Sequence, residues 1–405
     1  MSRTVVIRIG FVAALVAAAA VAWQLPPNPS ALPRPFATAS VRNFPDVIAR
    51  PAASQLRYPA GFRVEEWASG FDVPRFLLQG GNGDIFLSDS GNTNPGGRSG
   101  VIYVFAGGEP NQRKALIRGL NRPYGLALHD RYLYVGEADS IKRYPYDPDK
   151  RTAGPREEII SLKGFNQDHW TRSLLFDRAG GKLYVGVGSA SNVATGEDPR
   201  RAAISRYNAD GSGHELFATG TRNPIGLHWY PNSDTLWAAV QERDELGDDL
   251  VPDYLTHVEQ GDFYGWPYSY IGSHPEPRIR QKRPDLVAKA KVPDVLLGSH
   301  VAVLDFVFYT GLQFPEEYRG GAFLAMHGSW NRSQRVGYQV AFVPFRDGKP
   351  SGPPRDFITG WMLAPDRTQV WGRPVAVFQT NDGSLLVTDD GGRKIWRVSY
   401  GAPRG

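Results

Sequence analysis

Short hydrophobic runs separated by turns of Gly, Pro, Asn and Asp dominate the chain from residue 58 onward. The clearest example covers residues 220–249, where an apolar run ending at Trp229 is followed by a turn at 231–233, a second apolar run at 235–241 and an acidic loop. Apolar runs of this kind with turn residues between them predict antiparallel β-strands. The same unit recurs about six times, which indicates a repeat architecture.

Six repeated units predict an all-β fold, a six-bladed β-propeller made of four-stranded antiparallel blades. Residues 62–67 alternate between polar and apolar types, and we expect them to close the ring by completing the last blade. The propeller domain is then predicted to span residues 58–405. Residues 268–298 are rich in Pro, Arg and Lys and break the repeat, so we interpret them as an insertion between the fourth and fifth units.

The N-terminal residues predict export. Arg3 and Arg8 precede an apolar run at residues 10–23, which is short for a membrane span and typical of a signal peptide. We therefore predict a signal peptide at residues 1–22 and a linker rich in Pro, Ala, Ser and Asn at residues 23–57. This places the protein in the periplasm or outside the cell, with a retained N-terminal membrane anchor as the alternative.

Composition removes several classes of function. The sequence contains no cysteine, which excludes thiolate metal sites and cysteine nucleophiles. The net charge of +5 is spread along the chain without a basic block, so no nucleic-acid partner is expected. The sequence also lacks the serine-hydrolase elbow Gly-x-Ser-x-Gly and the zinc motif His-Glu-x-x-His, so it supports neither a serine hydrolase nor a zincin.

Charged residues recur at matching places in the six units. In a propeller blade the first strand is innermost, so the loop entering it and the loop leaving the second strand open on the same face. The entering loops carry Arg75, Arg122, His169, Arg172, Arg222, His300 and Arg373. The exiting loops carry Asp89, Glu137, Asp139, residues 189–192, 242–249 and 327–332, Asp389 and Asp390. Burying so much charge without a ligand is costly, so the ring predicts a binding site, although any single arginine could instead form an ion pair at a strand end.

The residue types at this ring indicate its chemistry. Arginine guanidinium groups bind carboxylates bidentately, so the cationic side suits a small polyanion with several carboxylates. The acidic loop at residues 241–249 offers the oxygen ligands that Ca²⁺ prefers, with a solvated acidic turn as the alternative. His169 precedes an inner strand, and imidazole is a suitable general base for the proton of an alcohol; a structural histidine is the alternative.

Seven short motifs resemble the glucose/sorbosone dehydrogenase family, and the similarity is greatest to its L-sorbosone dehydrogenase branch. It covers residues 58–400. The motifs begin at His169, Gly188, Thr221, Glu242, Phe263, His327 and Trp371. Members of that family are soluble sugar dehydrogenases with six-bladed propellers that depend on pyrroloquinoline quinone (PQQ).

The resemblance implies a role for each matching residue. His169 would be the general base that accepts the proton of the substrate hydroxyl while hydride passes to PQQ. Arg222 and Asn223 would lie beside the quinone oxygens, with Arg222 stabilising charge on the reduced cofactor. Arg373 would bind a carboxylate of PQQ. One departure is Ser189, which stands where the glucose dehydrogenases have an aspartate.

Further cofactor and metal contacts follow from the same resemblance. Arg122 and Arg332 match positions near the cofactor. Arg243 and Asp244 fall in the segment whose backbone carbonyls bind the Ca²⁺ that PQQ also chelates. The implied cofactors are therefore PQQ and Ca²⁺.

The sequence thus predicts a PQQ- and Ca²⁺-dependent dehydrogenase that oxidises an aldose or aldosone-type sugar. Its electrons would pass to a quinone or a cytochrome. Two alternatives stay open. A Ca²⁺-dependent propeller lactonase would hydrolyse a sugar lactone without added quinone, and a carbohydrate-binding propeller without catalysis would bind PQQ or sugar but reduce no dye.

Overall fold

A computed structural model describes residues 32–91, 94, 97–165 and 168–401 of the chain. Within these residues, six antiparallel sheets of four main strands each make up the ring, and blade 2 carries one extra short strand, Thr152–Ala153. The first strands of neighbouring blades contact one another all the way round, so they line the axis. The predicted six-bladed β-propeller is confirmed.

The strands of blades 1 to 5 run outward from the axis in chain order, and blade 6 does the same except that its outermost strand, Phe62–Ser69, comes from the start of the propeller sequence. Those of blades 1 to 3 are Pro74–Gln79, Ile85–Asp89, Gly100–Phe105 and Arg113–Leu120; Leu126–His129, Tyr132–Glu137, Ser140–Asp147 and Glu157–Ser161; and Arg172–Phe176, Lys182–Val187, Ala203–Asn208 and Glu215–Thr219. Those of blades 4 to 6 are Asn223–Trp229, Leu236–Gln241, Pro252–Val258 and Val295–Ser299; Val303–Phe308, Ala322–Met326, Gln339–Val343 and Arg355–Ile358; and Pro374–Gln379, Leu385–Asp389, Lys394–Tyr400 and Phe62–Ser69.

Only short elements lie outside the blades among the described residues. They are the strands Asp46–Val47, Ser269–Tyr270, His274–Pro275, Phe345–Arg346, Lys349–Pro350 and Gln369–Val370, the helix Pro284–Val287, and the 3₁₀ turns Ala106–Gly108 and Glu316–Tyr318. None of the helices in the described ranges has the length and apolar content that a membrane span requires. The predicted signal peptide at residues 1–22 lies outside the described residues.

The first and last strands of the propeller sequence pair with each other and close the ring, as the alternating pattern at residues 62–67 predicts. Phe62–Ser69 pairs antiparallel with Lys394–Tyr400 and becomes the outermost strand of blade 6. Phe62 is buried, and its ring meets those of Phe314 and Phe357 edge to face at 4.8 and 4.9 Å. Strand pairing and aromatic packing therefore hold the closure together.

The insertion boundaries need correction. Val295–Ser299 overlaps the end of the predicted insertion at residues 268–298, yet it pairs with Pro252–Val258 as the outermost strand of blade 4. The excursion is therefore internal to blade 4 and does not separate two units. The short apolar strand follows a stretch rich in Pro and Lys, which hides it in the sequence pattern.

Residues 34–50, within the predicted linker, pack against the propeller; we call them the N-terminal strap. Asp46–Val47 forms a parallel pair with Gln369–Val370, in the loop that enters blade 6. The amide N of Phe36 donates a hydrogen bond to the carbonyl O of Leu246 in the acidic loop of blade 4 (2.8 Å). The strap therefore follows the loops of blades 4 to 6.

Glycines let the inner strands of adjacent blades approach closely. A Cβ atom on Gly136 would lie 2.5 Å from the carbonyl O of Arg172, and one on Gly186 would lie 2.6 Å from that of Pro224. Larger residues would push the blades apart at these contacts. Second strands are covered on both faces, so Leu385–Asp389 is buried throughout and even its Asp389 is enclosed.

Candidate active site

Strand direction gathers the predicted site residues at one end of the ring, which we call the mouth face; the other end is the base face. Chain segments enter each first strand, and leave each second strand, on the mouth face. His169, Arg222, Asn223, Arg122, Arg243, Asp244, Arg332 and Arg373 all lie in these segments or at the strand ends beside them. The hydrogen bonds around each side chain decide which of them face the axis.

His169 has a defined tautomer. Its Nδ1 atom lies 2.8 Å from the carbonyl O of Ser189, which can only accept a hydrogen bond, so Nδ1 carries the proton and Nε2 is left as an acceptor. The Ser189 hydroxyl lies 3.1 Å from the same nitrogen. Burial, followed by the charge of Arg222, lowers the pKa of His169 to about 3, so the ring is neutral at physiological pH.

Arg172 fixes the loop that carries His169. It is fully buried, and it donates hydrogen bonds to the carbonyl oxygens of His169 and Ala138, both at 2.8 Å, and to that of Phe165. Burial lowers its pKa to about 9. This member of the predicted charged ring therefore serves the backbone and does not face the axis as a ligand for an anion.

Arg222 is held in place by oxygens from two neighbouring loops. It is 4% exposed, and its Nη1 atom donates to the carbonyl O of Glu242 at 2.6 Å. Its Nη2 atom donates to the carboxylate of Asp244 and to the Oδ1 atom of Asn192, each at 3.1 Å. A guanidinium fixed in this way has a constant orientation toward the axis.

Asn223 lies against His169 at the start of the inner strand of blade 4. Its Nδ2 atom donates to Gln241 at 3.0 Å, while its Oδ1 atom is buried with no hydrogen-bond partner in the described structure. A Cβ atom on Gly188 would lie 2.2 Å from that Oδ1 and 2.4 Å from the Cβ of His169. Only glycine allows the base candidate and the amide to approach so closely.

Asp244 joins Arg222 to His300. Its Oδ1 atom lies 3.2 Å from His300 Nδ1, and His300 Nε2 lies 2.9 Å from the carbonyl O of Gly247. Burial acts to raise the pKa of Asp244, but the hydrogen bond from His300 and the charge of Arg222 outweigh it and lower that pKa. Asp244 therefore stays ionised between two cationic groups.

The predicted Ca²⁺ site rests on the backbone carbonyls of the segment that holds Arg243 and Asp244. The Arg243 side chain is fully buried beneath the excursion, where it pairs with Glu242 at 2.9 Å and Glu276 at 3.3 Å. The carbonyl O of Asp244 already accepts hydrogen bonds from Asn192 at 3.0 Å and Arg278 at 2.8 Å. The described ranges contain no group of three His, Asp or Glu side chains placed to hold a metal. The calcium site at these backbone carbonyls stays a prediction.

A second charged cluster lies where blades 5, 6 and 1 meet. Asp390 accepts from Arg75 Nη1 at 2.5 Å and lies 2.9 Å from His327 Nε2. Arg373 donates from Nε to the carbonyl O of His327 at 3.3 Å. Burial lowers the pKa of His327 to about 4, with the charge of Arg373 as the next cause. Arg75 is ion-paired with Asp390, whereas Arg373 interacts with that carboxylate only through its charge, so it can pair with an anionic ligand.

Trp170, the residue after His169, packs against two of the predicted mouth-face arginines. The guanidinium carbons of Arg75 and Arg122 lie 5.2 and 5.3 Å from its ring centroid. Arg122 is 2% exposed, and burial lowers its pKa. The sequence signal for this residue was a tryptophan directly after His169, because arginine side chains bind favourably over the faces of indole rings.

Arg332 differs from the other predicted cofactor ligands because it turns toward the acidic loop. Its guanidinium lies 2.8 Å from the carboxylate of Asp249 and also donates to the carbonyl O of Asp248. The predicted role at the cofactor therefore has no support from its contacts. This arginine instead ties the loops of blades 4 and 5 together beneath the strap.

The remaining residues fit an acidic quinone. Arg75 pairs with Asp390 and Arg222 pairs with Asp244, while Arg373 only interacts electrostatically with Asp390. Burial lowers the pKa of Arg373, so its charged form gains from an anionic partner. A ligand with several carboxylates would supply that partner.

Comparison with known families agrees with this chemistry. A family model described as TrAA12-like matches residues 56–254 and 279–401. An uncharacterized protein of Borreliella burgdorferi is 31% identical over 369 residues, covering 87% of this chain and 93% of that protein. A PQQ-dependent pyranose dehydrogenase of Coprinopsis cinerea is 25% identical over 419 residues, covering 87% of this chain and 56% of the enzyme, so this chain spans about half of that relative.

Solved structures share the fold. The holo PQQ domain of the Coprinopsis cinerea pyranose dehydrogenase superposes with a TM-score of 0.73 at 20% identity, covering 87% of this chain and 98% of that one. A calcium structure of the Trichoderma reesei family AA12 enzyme gives 0.72 at 19% identity, covering 88% and 99%. A PQQ-bound aldose sugar dehydrogenase of Streptomyces coelicolor gives 0.58 at 18% identity, covering 85% and 99%. The special similarity to the L-sorbosone branch stays a prediction. The chain belongs to the TrAA12-like family of PQQ sugar dehydrogenases.

Proposed function

We propose that this protein oxidises a hydroxyl group of an aldose or aldosone-type sugar with PQQ as its cofactor. The observation that carries the proposal is the fixed tautomer of His169, whose Nδ1 is bonded to the Ser189 carbonyl at 2.8 Å while Nε2 is left to accept a proton. When bound, PQQ supplies the two-electron acceptor for this chemistry. The protein supplies the base, the positive charge and the orientation.

His169 is the proposed general base. Its pKa of about 3 keeps the ring neutral, and a neutral imidazole can accept the proton of a sugar hydroxyl at Nε2. The charge of Arg222 contributes to that low pKa. An anionic cofactor next to Arg222 would offset this charge and raise the basicity of His169, so cofactor binding and base strength are coupled.

Arg222 and Asn223 are the proposed partners of the quinone oxygens. Asp244 and the Glu242 carbonyl hold the Arg222 guanidinium in one orientation, so negative charge that develops nearby meets a donor that needs no rearrangement. Asn223 and His169 both lie against Gly188, which places the amide close to the base. The charge of Arg222 and the base His169 would then act on the same cofactor and sugar.

Arg373, Arg75 and Arg122 are the proposed ligands for the carboxylates of the cofactor. Arg75 and Arg122 share the Trp170 ring, and Arg75 and Arg373 both lie near Asp390. Charge-assisted hydrogen bonds from guanidinium to carboxylate are worth about 1.5–3 kcal/mol each. Binding through these groups would hold the cofactor at the axis.

Calcium enters no step of this proposal. A Ca²⁺ ion bound to the carbonyl of Asp244 would have to displace the hydrogen bonds from Asn192 and Arg278. Titration of metal-free protein with Ca²⁺ tests this point by calorimetry. Saturable binding of one Ca²⁺ with PQQ present would support the calcium prediction, and no binding with or without PQQ would contradict it.

The acceptor and the compartment are proposed from the sequence. We propose that electrons pass to a quinone or a cytochrome and that the protein acts in the periplasm or outside the cell. The apolar run at residues 10–23 motivates the compartment. Cell fractionation, with the mass of the mature N-terminus, checks both the location and the cleavage.

Reconstitution tests the proposed function. Purified protein is incubated with PQQ, and sugars are screened for dye-linked oxidation. We expect PQQ-dependent dye reduction with at least one aldose or aldosone. Hydrolysis of sugar lactones without PQQ would favour the lactonase alternative, and PQQ binding without dye reduction for any sugar would favour the carbohydrate-binding alternative.

A further inference from the structure

The N-terminal strap is fixed to the mouth face along its length. Besides the bond from Phe36 to Leu246, the carbonyl O of Asn43 accepts a hydrogen bond from Arg335 at 2.8 Å. The ring of Phe44 stacks on that of Trp330, with the centroids 5.2 Å apart. These contacts give the strap a constant outer surface.

Hydrophobic side chains on that outer surface face solvent. Phe36, Phe44 and Val47 are 55%, 62% and 45% exposed. Leu363, which is 43% exposed, lies near Val47 because its amide N donates to the carbonyl O of Gln369 in the strand that pairs with Asp46–Val47. Single exposed apolar residues are ordinary, but a row of them along one segment marks an interaction surface. We call Phe36, Phe44, Val47 and Leu363 the apolar row.

Arginines accompany the aromatic members of this row. Arg34 and Arg42 are exposed and precede Phe36 and Phe44 by two residues each. The side chain of Arg42 is 72% exposed, and its contact with Glu245 spans 3.4 Å. An exposed pair of this kind adds little energy, so the guanidinium can interact with an external anion.

We propose that the strap docks the mouth face onto a lipid bilayer with anionic headgroups. Aromatic and aliphatic side chains interspersed with arginines are typical of segments that lie in the membrane interface. The apolar row would enter the headgroup boundary, and Arg34 and Arg42 would contact lipid phosphates.

The position of the strap in the chain supports this occupant. Residues 24–33 connect the strap to the apolar run at residues 10–23, and a fully extended chain of that length reaches at most about 36 Å. Where the apolar run is retained as an N-terminal anchor, the bilayer that holds it is within reach of the strap. The strap contacts the loops of blades 4 to 6, so the proposed docking is through that half of the mouth face.

Single-cysteine labelling tests the docking surface directly, because the natural sequence has no cysteine. Full-length Phe44→Cys protein is labelled with an environment-sensitive fluorophore and mixed with vesicles of phosphatidylcholine and phosphatidylglycerol in equal parts. The matched control is Leu312→Cys, at a position that is 79% exposed in a base-face loop. We expect a blue shift and quenching by nitroxide-labelled lipid chains at position 44, with neither change at position 312.

The labelled proteins also separate docking from tethering. A protein that sediments with vesicles while the label at position 44 stays in water would be held by residues 10–23 alone, and that result would overturn the proposal. Failure to sediment with these vesicles would overturn it as well. Circular dichroism of both variants verifies that the labels leave the fold intact.

Charge variants test the arginines. Near an anionic surface each arginine is worth about 1 kcal/mol, which is about fivefold in partitioning. We expect Arg42→Gln to weaken partitioning into the mixed vesicles about fivefold, with no change for phosphatidylcholine alone. The control, Arg346→Gln on the base face, should match the unmodified protein. Equal partitioning of the two variants would contradict a role for the strap.

Discussion

The two charged clusters on the mouth face distribute their charges differently. Around Arg222, carboxylate and carbonyl oxygens hold the guanidinium, and Asp244 bridges it to His300. Around Asp390, one carboxylate serves Arg75, with Arg373 and His327 close by. The first arrangement fixes orientation beside a base, whereas the second leaves positive charge uncompensated. We infer that the first cluster performs the chemistry and the second binds the acidic cofactor.

The largest effect should come from His169→Gln, in the first cluster. Loss of the general base should lower kcat by about 10²–10⁴-fold at saturating PQQ while PQQ affinity changes little. Steady-state dye reduction and a PQQ titration measure the two quantities. His257→Gln, on the base face, is the matched control. Unchanged kcat in the His169 variant would remove the base assignment and the division between the clusters.

Arg222→Gln should rank next. Removing a fixed charge that stabilises a developing anion costs about 10²–10³-fold in kcat, and this substitution keeps a hydrogen-bond donor of similar shape. Turnover at saturating PQQ is the readout. The pKa of His169 should rise in this variant because Arg222 is among the causes that lower it, and NMR titration of the imidazole would detect the change. An unchanged pKa of His169 would contradict the electrostatic coupling between His169 and Arg222.

Arg373→Gln should instead weaken binding. Loss of one charge-assisted hydrogen bond of about 1.5–3 kcal/mol predicts PQQ affinity about 10–100-fold lower, with kcat preserved once PQQ saturates the site. Calorimetry gives the affinity and dye reduction gives kcat. A fall in kcat at saturation with unchanged affinity would reverse the roles that we assign to the two clusters.

Acid should destabilise the protein partly through His327. Its folded pKa of about 4 lies below the ordinary value of 6.5, so between these values the unfolded chain binds more protons and stability is lost as the pH falls. For this one group the loss from pH 7 to pH 5 is roughly 2 kcal/mol. Asp253, whose pKa burial raises to about 7, changes stability in the opposite direction.

A difference measurement isolates that histidine. Urea unfolding of the natural protein and of His327→Gln at pH 7 and pH 5 gives four free energies, in which the contribution of Asp253 cancels. We expect the variant to lose roughly 2 kcal/mol less than the natural protein over this interval. Equal losses would show that His327 is not held neutral in the second cluster.

The smallest effect should come from Ser189→Ala. The backbone carbonyl of Ser189 fixes the tautomer of His169 at 2.8 Å, and the substitution removes only the hydroxyl contact at 3.1 Å. We expect kcat within about fivefold of the natural value, since a net hydrogen bond contributes about 1 kcal/mol. A loss as large as that of His169→Gln would assign tautomer control to the hydroxyl.

Sequence patterns predict the fold well because propeller repeats are local. Each blade brings its own pair of apolar strands, and residues 62–67 alternate enough to reveal the closing strand. Topology then places His169, Arg222 and Arg373 on one face without any knowledge of contacts. The boundary of the excursion is less visible because Val295–Ser299 finds its partner far back in the chain.

The direction of individual side chains is what sequence alone does not resolve. Arg172 and Arg243 lie in the predicted loops but turn inward, to backbone carbonyls and to Glu276. Each belongs to a pairing that depends on distant residues. Arg75 and Asp390 are also far apart in the chain, near the start and the end of the propeller sequence. Only ring closure brings them into contact.

A PQQ titration of the natural protein and of Arg373→Gln tests whether the cluster around Asp390 binds the cofactor. We expect one saturable PQQ site in the natural protein and a PQQ affinity at least tenfold weaker in the variant. Both proteins should reach the same kcat at saturating PQQ. Absence of saturable PQQ binding in the natural protein, or equal affinities in the two proteins, would contradict it.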